Sequence, residues 1–171
     1  LTSKGAELEA AYAFTKNFTV NATGYYGDPK YDTGTYDLNF ARTPAICDNV
    51  VCPTNGYIGG KTTPRSSKFM TTLGAEWQDD LTASLQYYLR ADLAHQSKAY
   101  ADVMNLSWAQ ARTLVNGSMG VTSDHYELMF WMRNVFDAKY VAVASITQPN
   151  VGYYGAIGDR RTFGLTARVK Y

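Results

Sequence analysis

Apolar and polar residues alternate with a period of two along seven stretches of the chain, and no window of useful length keeps the i, i+3, i+4, i+7 spacing of an amphipathic helix. The stretches are 6–14, 18–26, 69–77, 81–93, 113–121, 126–132 and 163–171. In 81–93, Leu81, Ala83, Leu85, Tyr87, Leu89, Ala91 and Leu93 share one face, while Gln86, Tyr88, Arg90 and Asp92 lie on the other. In the last stretch Phe163, Leu165, Ala167, Val169 and Tyr171 alternate with Thr162, Gly164, Thr166, Arg168 and Lys170. The predicted fold class is all-β with antiparallel strands. Charged side chains keep to the polar register: Glu7, Glu9, Lys68, Glu76, Arg90, Asp92, Arg112, Glu127, Arg133, Arg168 and Lys170 all fall there. Part of that separation follows from choosing the better of two registers for each strand.

The connections carry a signal that owes nothing to hydrophobicity. Residues 15–17, 78–80 and 122–124 read as tight polar turns, whereas 31–65, roughly 99–107 and roughly 137–160 are long links. If successive strands are antiparallel neighbours, all tight turns lie at one end of the sheet and all long links at the other. Outer-membrane barrels have that sidedness, and strands of about 9 to 11 residues are long enough to cross the hydrocarbon when tilted. Tyr12, Phe14, Phe18, Trp77, Tyr126 and Tyr171 then gather toward the short-turn end, where amphipathic rings favour the membrane interface. The longest apolar run, 128–132, is far too short for a transmembrane helix. A soluble sandwich or ligand-binding barrel also alternates, but it does not account for the graded loop lengths.

Composition adds strand formers, with 14 Tyr, 7 Phe and 3 Trp, and a formal net charge of +1 that gives no field for nucleic acid. The chain opens without Met or a signal segment, which reads as a mature or truncated piece. Cys47 and Cys52 stand in a Pro-, Asn- and Gly-containing stretch and are candidates for a local disulfide, with free thiols as the alternative. His95 and His125 are remote in sequence and near opposite strand ends, so no metal, cofactor or catalytic cluster is expected. Seven strands do not close a bacterial barrel, whose counts are even. Either 31–65 hides an eighth strand of a small structural or adhesion barrel, or these strands belong to a larger one.

Three phrases favour the larger barrel. Arg133-Asn134-Val135-Phe136-Asp137-Ala138-Lys139-Tyr140 resembles the Asn-Leu-Phe-Asp-x-x-Tyr segment that closes the penultimate strand of TonB-dependent outer-membrane receptors, with Val135 in place of Leu. Gly158-Asp159-Arg160-Arg161-Thr162-Phe163-Gly164 resembles that family's Gly-x-Pro-Arg-Thr-aromatic-Gly approach to the terminal strand, with Arg160 where Pro is common. Ser3-Lys4-Gly5-Ala6-Glu7-Leu8-Glu9 is similar to the phrase that opens a strand several hairpins earlier.

The resemblance implies a barrel of about 22 strands around a plug, of which this chain would supply the C-terminal third, residues 1–171. It implies uptake of a scarce nutrient such as a ferric siderophore, energised through TonB by way of an N-terminal box. The implied partners are the lipid bilayer, the plug and earlier strands, TonB, the barrel-assembly machinery and the nutrient. The implied location is the bacterial outer membrane, with long loops outside and the C-terminus on the periplasmic side. On this reading Glu7, Glu9, Arg90, Asp92, Arg112, Glu127 and Arg133 face the lumen. Tyr31, Tyr36, Tyr100, Tyr153 and Tyr154 are candidate ligand contacts in the loops, and Val169 with Tyr171 form the assembly signal.

Overall fold

The computed structural model describes residues 1–40, 56–148 and 152–169, which form eleven strands and no helix. In chain order they are β1 (Gly5–Ala13), β2 (Phe18–Gly27), β3 (Phe69–Thr82), β4 (Leu85–Gln96), β5 (Ala99–Tyr100), β6 (Trp108–Ala109), β7 (Arg112–Thr122), β8 (Tyr126–Arg133), β9 (Val141–Gln148), β10 (Gly152–Ile157) and β11 (Thr162–Val169). Seven of them make one antiparallel sheet in the order β1-β2-β3-β4-β7-β8-β11, and β5-β6 and β9-β10 are separate two-stranded hairpins. Each long link therefore joins neighbours at the same end of the sheet, and each tight turn lies at the other end.

Register decides what the two faces carry, because residues directly opposite in neighbouring strands point the same way. Phe18, Trp77, Leu89, Met119, Phe130 and Leu165 lie opposite one another across six successive strands. One row toward the long links, Val20, Ala75, Ala91, Gly117, Met132 and Phe163 do the same. The opposite face carries the row Glu76, Arg90, Ser118, Trp131 and Gly164 and the row Asp80, Gln86, Thr122, Glu127 and Arg168.

Among the described residues, no other element covers either face. Among the described residues of the seven sheet strands only Gly27 and Gly74 are buried, and Leu8, Leu165 and Phe163 are each about 70% exposed. The buried side chains lie instead above the sheet, where Ile58, Ala101, Met104 and Asp102 pack among the long links. A soluble sheet would hide its apolar face under a second layer; this one leaves a face of Leu, Phe, Met and Trp open to its surroundings.

Aromatic rings collect at both margins of that face. Tyr12, Phe14, Phe18 and Trp77 form a chain with centroid separations of 4.8, 5.8 and 6.2 Å near the tight turns. Tyr26 and Phe69 lie opposite each other at the far margin, with Phe69 6.0 Å from the His95 ring. Phe69 and Trp77 are eight residues apart, which is about 26 Å along the strand and about 20 Å along the normal of a membrane crossed at about 40°.

Three expectations change. The turn expected at 78–80 lies at 83–84, so β3 continues through Gln78, Asp79 and Asp80 and β4 begins at Leu85 rather than Leu81. Gln86 Nε2 donates to Asp80 Oδ1 at 3.0 Å, which holds those polar residues in extended pairing and leaves the turn to the small Ala83 and Ser84. Asp79 thereby enters the apolar register, opposite Tyr87 but beyond the Trp77 row. Second, the 137–160 link contains the β9-β10 hairpin, whose own alternation at Val141, Val143 and Ser145 resembles that of a short strand. Third, β2 pairs directly with β3 across residues 28–68, so no eighth strand from that link stands between them. Cys47, Cys52 and Tyr171 lie outside the described residues.

Candidate functional site

The three long links hold one another through side chains that accept or donate several bonds at once. Asp102, only 1% exposed, takes the N–H groups of Met104 (2.9 Å), Leu106 (3.2 Å) and Ser107 (2.9 Å) and the Ser107 hydroxyl (3.0 Å). That set folds residues 102–107 into a closed turn between β5 and β6. Asn105, with a left-handed φ of 61°, then reaches the 28–68 link. Its Oδ1 accepts from Thr62 N at 2.9 Å and its Nδ2 donates to Thr62 O at 2.8 Å. Arg65 N donates to Tyr100 O at 2.7 Å, and Ser67 Oγ donates to Ser97 O at 3.1 Å, closing the same seam.

The β9-β10 hairpin is tied down by two arginines. Arg65 Nη2 donates to Ser145 Oγ at 2.8 Å, and Arg112 Nη1 donates to the carbonyls of Val141 and Ala142, each at 3.1 Å. Arg112 also lies 5.1 Å from the centre of the Tyr140 ring. Beneath the hairpin is a cavity of about 180 Å³ whose walls include Arg65, Gln96, Tyr100 and Arg112.

The tyrosines expected in the loops separate into two groups. Tyr100 stacks edge-on against Trp108 at 6.4 Å, with Lys98 Nζ 4.8 Å from the Tyr100 ring and 5.4 Å from that of Trp108. Tyr153 belongs to the same neighbourhood, since it bonds to Ser107; burial, aided by the Asp102 carboxylate, raises its hydroxyl above the ordinary tyrosine value. Tyr153 and Tyr154, adjacent on β10, are both about half exposed as whole residues. Tyr31 and Tyr36 belong to the 28–68 link. Burial raises the Tyr31 hydroxyl, with Asp37 adding to the effect, and Tyr36 meets Tyr57 edge-on at 5.3 Å.

Charged residues of the polar face are largely neutralised among themselves. Arg90 pairs with Asp92 Oδ1 at 2.6 Å and Glu76 Oε2 at 3.0 Å, and Arg168 pairs with Glu127 Oε2 at 2.7 Å. Tyr88 Oη donates to Glu127 Oε1 at 3.5 Å. Arg133 sits 5.3 Å from the Trp131 ring, whose Nε1 donates to Thr166 Oγ1 at 3.2 Å. Glu7 and Glu9 lie opposite Tyr25 and Thr23 on the same face. Val169 lies opposite Tyr126 on the apolar face. His95 is near the long-link end of β4, with Nδ1 2.8 Å from Thr113 Oγ1, and His125 is in the tight turn before β8, so the two are at opposite ends of the sheet. Among the described residues no group of three or more His, Cys, Asp or Glu is placed to hold a metal ion.

Asp102, Asn105, Lys98, Trp108 and Arg65 escape sequence reading, because none falls in a periodic stretch. The clearest local cue is Asp102 followed by Asn105 and Ser107, short polar side chains suited to bonding nearby backbone.

No protein-family profile matches the sequence, and no curated protein does. Solved structures do. The ferric yersiniabactin uptake receptor FyuA from Yersinia pestis superposes with a TM-score of 0.78 over 99% of this chain at 15% identity. The siderophore receptor PiuA and the ferric preacinetobactin receptor BauA, both from Acinetobacter baumannii, give TM-scores of 0.72 and 0.66, each over 96% of this chain at 18% and 20% identity. This chain spans 23%, 21% and 21% of those three chains. The fold is that of a segment of an iron-receptor barrel.

Proposed function

We propose that the chain is the C-terminal barrel segment of a TonB-dependent outer-membrane receptor that takes up a ferric siderophore or a comparable scarce nutrient, without chemical conversion of it. The observation that carries the reading is a seven-stranded sheet with two apolar rows across the middle of one face and charged rows on the other, neither covered by another element among the described residues. In a bilayer that arrangement satisfies every backbone group only when the sheet closes, so further strands complete the barrel and a plug fills it. The apolar rows meet lipid. Glu7, Glu9, Arg90, Asp92, Arg112, Glu127 and Arg133 face the lumen, where bonds to the plug rearrange during passage. The long links are extracellular and hold the cargo, with Tyr31, Tyr36, Tyr100, Tyr153 and Tyr154 as stacking surfaces. The tight turns and C-terminus are periplasmic, Val169 and Tyr171 are read by the assembly machinery, and an N-terminal box engages TonB.

The test is uptake of radiolabelled ferric chelates by cells carrying the full-length protein in the outer membrane, with and without TonB. Accumulation that depends on both the protein and TonB is expected. Purification of the full-length protein as a monodisperse monomer without detergent would contradict the reading.

A further inference from the structure

We infer that Asp79 is a lipid-headgroup site: at the tight-turn boundary of the lipid-facing side, its carboxylate takes the ammonium of a phospholipid whose headgroup carries a primary amine, of the phosphatidylethanolamine class. The inference rests on the bilayer part of the receptor reading and adds which lipid that face selects. It comes from a break in the register. Apart from His95 at the opposite margin, Asp79 is the one acidic or basic residue that the pairing of the seven strands puts on the apolar face among the described residues. Asp80, the next residue, belongs to the polar face and accepts from Gln86.

Its depth follows from the aromatic margin. Phe18 and Trp77 share a row, Tyr87 on β4 stands one row nearer the tight turns, and Tyr126 on β8 one row further again. From Trp77 to Tyr126 the margin moves about 13 Å along the strands over about 14 Å across them, a slope of about 43°, which is the strand tilt of such barrels. The margin is therefore level in the membrane. On β3 it lies at Trp77, so Asp79, two residues further, stands about 5 Å outside it along the membrane normal, at the level of the headgroups. The surroundings suit a zwitterion. Trp77 Nε1 donates to Tyr87 Oη at 3.3 Å, and Tyr87 lies directly opposite Asp79. The phenol O–H is left to donate to a phosphate oxygen while the carboxylate takes the ammonium. Asp79 Oδ1 accepts from the Asp80 N–H at 2.9 Å, and among the described residues no cation pairs with this carboxylate. An anionic headgroup is repelled there, and a trimethylated one has no N–H to give.

The test places full-length protein in nanodiscs of phosphatidylethanolamine and phosphatidylcholine in equal amounts, with matched acyl chains and EDTA present, and counts by mass spectrometry the lipids that stay on the released barrel. The last lipid retained should be phosphatidylethanolamine over phosphatidylcholine by about threefold, the scale of one ion pair at a wet boundary. D79N should bring the ratio to one, and D79E should keep most of the preference. D80N, the same charge change on the polar face, should leave the ratio as in wild type. Heat-modifiable gel mobility verifies that each variant is a folded barrel. An equal ratio in inserted wild type, a preference that survives D79N, its loss in D80N, or its appearance only when magnesium replaces EDTA overturns the site alone. Failure of the wild-type protein to enter a bilayer overturns the receptor reading and the site with it, so the two failures are distinguishable.

Discussion

Asp137 holds three donors at once: Arg160 Nε at 2.8 Å, Arg160 Nη2, and the Arg161 N–H at 3.0 Å. Arg160, followed by the Arg161 N–H, holds its carboxyl well below the usual carboxylate range. Because the folded-state value is depressed, the contribution is fully present above the unfolded value of about 4 and is lost only as pH falls through the folded one. Hydrogen-exchange protection of the Arg161 amide, corrected for intrinsic rate, should therefore be flat from neutral pH to about pH 5 and fall in stronger acid. D137N should lower it throughout and remove the acid step. The same residues explain what the sequence phrases around 134 and 160 do. Asn134 Nδ2 donates to the Asp159 carbonyl at 2.9 Å and Gly158 N donates to the Tyr140 carbonyl at 2.9 Å, so the two phrases are one seam that sets β11 beside β8. Arg160, where proline is common, supplies an ion pair in place of a rigid ring. These phrases were legible because construction repeats in sequence. Asp102 was not, since one aspartate in a loop looks like any other until its partners are known. D102A should leave three backbone N–H groups without their acceptor and cost about 1 to 3 kcal/mol locally. Limited proteolysis within 97–111 should accelerate while the melting of the barrel stays unchanged.

At the level of strands, alternation located all seven members of the main sheet, because one-sided burial in any medium, lipid included, imposes period two. It failed where polarity was mistaken for a turn, at Gln78-Asp79-Asp80, since cross-strand bonds from Gln86 satisfy an extended acid as well as water does. It also passed over β9 and β10, which lie away from the main sheet. Gly164 shows how closely the polar face is packed. A Cβ there would meet the Trp131 ring at 2.6 Å, so G164V should displace the indole, break its bond to Thr166 and destabilise the β8-β11 pairing by about 1 to 3 kcal/mol. Sidedness can be tested within β4 alone. Ala91 lies in the apolar rows and Ala94 on the polar face. In urea unfolding of the full-length protein in bilayers, A91R should cost about 2 to 4 kcal/mol, and A94R should stay within about 0.5 kcal/mol.

For the molecule as a whole, the fold and its sidedness were readable from two independent patterns, hydrophobic period and loop length, that agree. The arrangement of the loop layer was not, because its buried residues are few, small and joined by side-chain bonds to backbone across long sequence distances, such as Asn105 to Thr62. The proposed function divides the same way: it gives the sheet the part of the receptor wall and the links the choice of cargo. The central claim concerns which medium each face meets. Spin labels placed singly at Leu73, Leu89, Phe130 and Leu165, and at Glu9, Asp92 and Glu127, in full-length protein with Cys47 and Cys52 replaced by Ser and reconstituted in lipid, measure it directly. Labels at the first four sites should collide with oxygen far more than with a water-soluble nickel chelate, and labels at the other three should not show that preference. Protection of Leu89, Phe130 and Leu165 labels from both reagents, as in a dry protein core, would contradict the account.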